Sequence, residues 1–232
     1  MHSLKSRVAP AVAALTLLVC SASASASSTW EKLTLAQQEA IRSGQQVQVV
    51  GNDPFVWEIT VIQRVAKASP AACAAIFWDL PGQPSYLAPF GLLSIDVKAG
   101  LHTAALASEV TAITPTPSGP ATIVYPWENA LIRFGDGSHS TYRISWHGTD
   151  ASRPMAPGFP AAWGDLTLEQ FADGGTLMVY HGTVSPIPLL LENTELKQTL
   201  VGQISAVAQA HARRFEQGPS LLQVLNLMSS LY

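Results

Sequence analysis

Two kinds of side chain in this sequence could orient a ligand or move a proton: tyrosines and tryptophans at alternating strand positions, and one histidine within an apolar helical stripe. Over residues 140–147, alternation sets Tyr142, Ile144 and Trp146 on one strand face and Thr141, Arg143, Ser145 and His147 on the other. Over 176–184 it groups Met178 with Tyr180, opposite Leu177, Val179 and His181. A tyrosine hydroxyl facing an apolar space can position a ligand or donate a proton, although most buried tyrosines only satisfy a nearby carbonyl. His211 falls on the apolar stripe of a long helix and reads as a packed histidine rather than a general base. Arg143 reads as a solvated outer-face charge rather than a substrate clamp, because charged side chains are seldom buried.

Motifs with sharper mechanics are absent from the sequence. There is no Gly-x-Ser-x-Gly elbow, no phosphate-cradling glycine loop and no His-Glu-x-x-His helix. His102, His139, His147, His181 and His211 show no ligand spacing, so no metal and no cofactor are expected.

The N-terminus carries its own message. Lys5 and Arg7 precede an apolar run over residues 8–20, and a tract of small residues follows over 21–28, which is the three-part order of a signal peptide. The run is shorter than the roughly 20 residues of a spanning helix and contains Pro10, so no stable membrane span is expected. Ala22-Ser23-Ala24 and Ala24-Ser25-Ala26 both offer small residues for cleavage, and the second site is preferred. A lipoprotein with Cys20 acylated would want a small residue where Val19 stands. The expectation is an exported protein, periplasmic or extracellular.

Cleavage removes Cys20 and leaves Cys73 alone, so the mature fold rests on its core without an internal disulfide. It also removes Lys5 and Arg7, leaving 11 basic against 16 acidic residues and a net charge of −5, which invites neither nucleic acid nor an anionic membrane. Charged residues are 12% and apolar residues 47% of the chain, a balance suited to a domain with a lined cavity as well as a core, and equally to a plain low-charge secreted protein.

The elements that must position these side chains follow from turn signals and periodicity. Residues 1–26 are assigned to the signal peptide and 27–46 to an N-terminal extension whose helix, over 35–43, starts with the capping box Thr34-Leu35-Ala36-Gln37. Strands are expected over 47–50 and 55–67, with Trp57, Ile59, Val61 and Val65 on one face of the second. Ser69-Pro70 opens an apolar helix over 71–80, and a short helical turn follows over 84–89. Six strands come next, over 93–97, 104–113, 122–134, 140–147, 161–172 and 176–184. Asp136-Gly137 and Asp173-Gly174-Gly175 supply hairpin turns, and 149–160, with three prolines, forms a loop. A helix capped by Asn193 or Thr194 carries Leu196, Leu200, Ile204, Val207, Ala208, His211 and Phe215 at spacings of three and four until Gly218-Pro219. The C-terminal tail, 218–232, is expected to form a short amphipathic helix over 220–232 that packs back on the domain, or else lids the cavity mouth or docks on a membrane surface, although its lack of Lys and Arg argues against anionic lipid.

Within this order, Ala68-Ser69-Pro70-Ala71, Phe77-Trp78-Asp79 and Tyr86-Leu87-Ala88-Pro89, with the last strand over 175–188 and the helix over 195–215, resemble the START-like superfamily. That group includes Bet v 1-type binders, polyketide cyclases/aromatases and lipid-transfer domains. The resemblance spans residues 47–217 and implies an α+β helix-grip fold, a curved antiparallel sheet wrapped around a long C-terminal helix. It also implies an apolar cavity between sheet and helix. Face assignment gives Trp57, Tyr142, Trp146, Leu168, Met178, Tyr180 and Ile204 as its lining, although the tryptophans would serve equally as plain core. The expected function is a monomeric binding or transport protein for a hydrophobic small molecule or lipid. The alternative is a cyclase/aromatase-like enzyme using the same cavity.

Overall fold

A computed structural model describes residues 29–231 apart from 52, 54, 99–103, 115, 117, 136–139, 149–160 and 173. The signal peptide, the Asp136-Gly137 turn, the 149–160 loop, His102 and His139 lie outside the described residues.

Eight strands form one antiparallel sheet: β1 (Val47–Val50), β2 (Trp57–Val65), β3 (Leu92–Val97), β4 (Ala105–Thr114), β5 (Ala121–Phe134), β6 (Thr141–Gly148), β7 (Ala161–Gln170) and β8 (Thr176–Ser185). Their order is β1-β2-β8-β7-β6-β5-β4-β3. Strands β3 to β8 run as a meander, each paired with its successor. The chain reaches β3 from β2 by crossing between opposite sides of the sheet through α2 (Pro70–Trp78) and α3 (Pro84–Leu87). The long helix α4 (Thr194–Phe215) then lies against the same face, so the architecture is the expected helix-grip fold.

Local chemistry sets each helix. Ser69 Oγ accepts the Ala72 N–H at 3.2 Å and Pro70 takes the first helical position, where a missing N–H costs nothing. Helix α2 buries residues on all sides because it sits between the sheet, α4 and α5 (Leu221–Leu231). Asn193 caps α4 by accepting the Leu196 N–H at 3.0 Å. At about 1.5 Å per residue, its 22 residues span about 33 Å, enough to cross the sheet.

Two polar ties fix α4 to β2. Gln63, buried on the inner side of β2, donates Nε2–H to the Ala208 carbonyl at 3.0 Å. Past the end of β2, the Glu216 carboxylate accepts the N–H groups of Ala66 and Lys67 at 2.5 and 3.0 Å. These are charge-assisted bonds to donors that the strand end would otherwise leave open.

The inner core joins alternate residues of β2 and β6–β8 to α2 and α4, with Ile59, Val61, Ile144, Leu166, Ala208 and Phe215 fully buried. A second cluster lies on the other face, where Ile41 of α1 (Leu35–Arg42) packs with Ile62, Phe171, Leu177 and Val179. The N-terminal segment is therefore a wall of the domain. Both halves of its capping box form, and Trp30 stacks edge-on against Phe171 at 4.9 Å between ring centroids. The tail packs back through α5, where Ser230 Oγ accepts the Trp78 Nε1–H at 3.0 Å and Gln223 donates to Asp79 at 2.8 Å.

Candidate functional site

One row of the sheet explains why space remains beneath α4. Across neighbouring strands Asn129, Trp146, Gly164, Gly182 and Ile59 stand in register. With no side chains on the two glycines, the Trp146 indole can lie over Gly164, and Ile204 reaches down toward Gly182, where an added Cβ would stand 3.3 Å from its Cδ1. Small inward residues continue the pattern with Ala162, Ala112 and Ser108. The result is a cavity of about 300 Å³ between the inner face of β3–β8 and helices α2–α4. A second void of about 130 Å³ adjoins it, sharing Trp127, Trp146, Tyr180 and Ile204.

Among the described residues that line the cavity there is no Asp, Glu, Lys or Arg. Several polar lining groups already have protein partners. Gln83 Nε2 donates to the Phe77 carbonyl at 2.8 Å, Asn129 Nδ2 to Ser108 Oγ at 2.8 Å, and Gln203 Nε2 to the Phe90 carbonyl at 3.0 Å. Tyr125 and Thr114 share a short hydroxyl–hydroxyl bond. The Trp127 Nε1–H is enclosed with no acceptor among the described residues.

Among the described lining residues, His211 is the one titratable nitrogen base. It is buried within an aromatic box of Phe77, Tyr86, Tyr180 and Phe215, with ring centroids between 4.7 and 5.8 Å away. Its Nδ1 lies 3.1 Å from Tyr86 Oη. Burial without a charged partner pushes its pKa down from 6.5 to about 3, so the ring is neutral at ordinary pH. Burial likewise raises the pKa of the Tyr86 and Tyr180 phenols, which stay protonated. The described residues of the site can hydrogen-bond and pack, and none of them is ionised at neutral pH.

The residues anticipated from the sequence divide between three places. Trp146, Tyr180 and Ile204 line the cavity. Tyr142, Leu168 and Met178 form another cross-strand row on the same face, but they lie in the closed core, at the end of the sheet where α2 presses on β6, β7 and β8. Trp57 is buried at the opposite end among Leu190, Leu196 and Leu200. Strand alternation identifies a face and says nothing of where along the strand a helix seals it. Sequence reading misses Tyr125, Trp127 and Asn129 of β5, which alternate in the same way, and Phe77, Gln83 and Leu87 from the α2–α3 crossing. His211, expected to pack, both packs and lines the space.

On the outer face, Arg143 Nη2 meets Asp165 Oδ2 at 3.0 Å, with His181 Nδ1 at 3.6 Å from the same oxygen. Burial would raise the Asp165 pKa, but hydrogen bonds from His181 and Arg143 outweigh it and hold the carboxyl below its ordinary value. His147 pairs with Glu128 across the strands at 3.1 Å, with both side chains exposed. These contacts decorate the sheet surface and do not reach the cavity.

No family model matches the chain, and no curated protein matches it in sequence. Among solved structures, TTHA0849 from Thermus thermophilus superimposes with a TM-score of 0.52 at 16% identity, covering 68% of this chain and 96% of that one. The Zhui aromatase/cyclase from Streptomyces sp. R1128 gives 0.50 at 13% identity, covering 75% and 95%. The di-domain ARO/CYC BexL from the BE-7585A biosynthetic pathway gives 0.50 at 13% identity, covering 72% of this chain and 50% of that one. The chain has the fold of the START-like superfamily.

Proposed function

We propose that this protein is an exported carrier that holds a hydrophobic small molecule in the cavity beneath α4 without transforming it. The observation that carries this reading is the lining: a partly open cavity of about 300 Å³ whose described walls hold no ionised side chain, and whose one described histidine is kept neutral by burial. Apolar walls with a few placed polar groups are what small-molecule sites generally present. Export is supported by the three-part order of residues 1–28.

Titration of the purified mature protein with N-phenyl-1-naphthylamine, a neutral dye that brightens in apolar surroundings, tests the reading. Saturable binding to one site, weakened when Trp146 is replaced by alanine, is expected. Absence of saturable binding would overturn it.

A cyclase/aromatase-like reading rests on two observations. Tyr86 and His211 are hydrogen-bonded beside the cavity, and two similarly folded structures are aromatase/cyclase proteins. Against it, a histidine whose pKa lies near 3 is a weak general base at neutral pH, far from the match that proton transfer favours.

A further inference from the structure

The polar end of the cavity narrows the class of ligand, an inference that rests on the carrier reading above. Tyr180 lines the cavity, and its hydroxyl neither finds a hydrogen-bond partner among the described residues nor is sealed off by them. Its ring stacks on His211 at 5.8 Å and 26°. Nδ1 of that imidazole is the only acceptor the Tyr86 hydroxyl meets among the described residues. Donation from Tyr86 to Nδ1 leaves one group unpaired among the described residues, Nε2–H, whereas the reverse direction would leave two, the Tyr86 proton and Nε2; the favoured tautomer of the neutral ring therefore carries its proton on Nε2. Two donors, Tyr180 Oη–H and His211 Nε2–H, are left on neighbouring rings with nothing among the described residues to accept them.

We infer that the cavity selects an uncharged, compact ring compound bearing a carbonyl oxygen, whose two lone pairs accept from Tyr180 and His211 while its hydrocarbon body fills the space toward Trp146 and Ile204. Charge is selected against because no described cation lines the cavity to pair with a carboxylate or phosphate, and no described carboxylate to pair with an amine. Size is selected because about 300 Å³ stands at the lower end of ligand pockets, which suits a fused-ring skeleton and not a two-chain lipid. Of the other polar groups of the wall, the amides of Gln83, Asn129 and Gln203 each donate to the protein itself and the unpartnered Trp127 Nε1–H is sealed off, so the oxygen is directed to the Tyr180–His211 pair.

Three probes of nearly equal size separate the components: 2-acetylnaphthalene, 2-ethylnaphthalene, which lacks the oxygen, and 2-naphthoate, which is anionic at pH 7. Isothermal titration calorimetry compares wild type with Tyr180→Phe, each first checked for an unchanged melting profile. Losing one neutral hydrogen bond should weaken 2-acetylnaphthalene about five-fold. Binding of 2-ethylnaphthalene should stay within about two-fold, and 2-naphthoate should bind wild type at least about a hundred-fold more weakly than the ketone. An equal response of the two neutral probes to Tyr180→Phe, or naphthoate binding as tightly as the ketone, overturns the selection for a carbonyl while leaving an apolar carrier standing. Failure of both neutral probes to bind wild type removes the carrier reading and this inference together.

Discussion

The Trp146 indole occupies the place of a side chain that Gly164 lacks: a Cβ on Gly164 would stand 2.6 Å from Trp146 Cζ2 and 2.4 Å from the His181 carbonyl oxygen. The two residues are direct cross-strand partners, so the aromatic wall of the cavity is shaped by a neighbour that contributes no atoms to it. Gly164→Ala should force the indole toward the void and crowd the β8 backbone, costing about 1–3 kcal/mol as overpacking does. Chemical denaturation should show the loss, and dye titration should show weaker uptake. An alanine variant as stable and as binding-competent as wild type would mean that the indole has another place to go.

Ile204 extends from α4 into both voids and toward Gly182. Ile204→Asp should either unfold the domain or abolish dye binding, because a carboxylate there meets no partner among the described lining residues. Ile204→Ala, the milder change, should keep the fold at a cost of about 2–4 kcal/mol and enlarge the site. A folded Ile204→Asp protein that binds like wild type would contradict the assignment of this face of α4.

Stability should fall as pH drops below 6.5. Unfolded, His211 takes up its proton near its ordinary pKa of 6.5; folded, burial defers uptake to about pH 3. Between those values the unfolded state binds more protons, so stability rises with pH through this window and is level above it, by about 1.4 kcal/mol per pH unit. The phenols facing the ring, Tyr86 and Tyr180, stay protonated throughout and do not contribute. His211→Phe, compared with wild type by denaturation at pH 7 and pH 4.5, should flatten the dependence by that amount. Parallel profiles for the two proteins would show that His211 is protonated more easily than its burial implies.

N-terminal sequencing of the exported protein should find a first residue between Ser25 and Ser28, since the small-residue tract is the one plausible cleavage region. Material beginning at Cys20 and carrying lipid would replace a freely diffusing carrier with an anchored one.

The fold was legible because its signals are local and repeated. Ser69-Pro70, the Asn193 cap and the stripe from Leu196 to Phe215 each act within one helix, and alternation in β6 placed Tyr142 and Trp146 together on the inner face. The cavity was only partly legible because voids are made by what is missing. Gly164, Gly182 and Ala162 hollow the middle of the sheet, whereas α2 seals the end that holds Tyr142, Leu168 and Met178. Nothing in those three residues distinguishes them from Trp146; the difference lies in a helix more than sixty residues earlier. The role of Ile62, Leu177 and Val179 was hidden for the same reason, since a solvent-facing row becomes core only once α1 covers it.

The pairing of β2 with β8 joins Trp57 to Val184 and Val65 to Thr176, the two ends of the domain in sequence. Closing so long a loop costs chain entropy that local hairpins avoid, and contacts of this separation slow folding. The meander from β3 onward can assemble hairpin by hairpin, but β2 has no inner neighbour until β8 exists, and α4 gains its ties to Gln63, Ala66 and Lys67 only after that. The cavity therefore has its walls only once α4 is in place: a nascent or half-threaded polypeptide that has not yet presented residues 194–211 lacks the side formed by Leu200, Ile204 and His211.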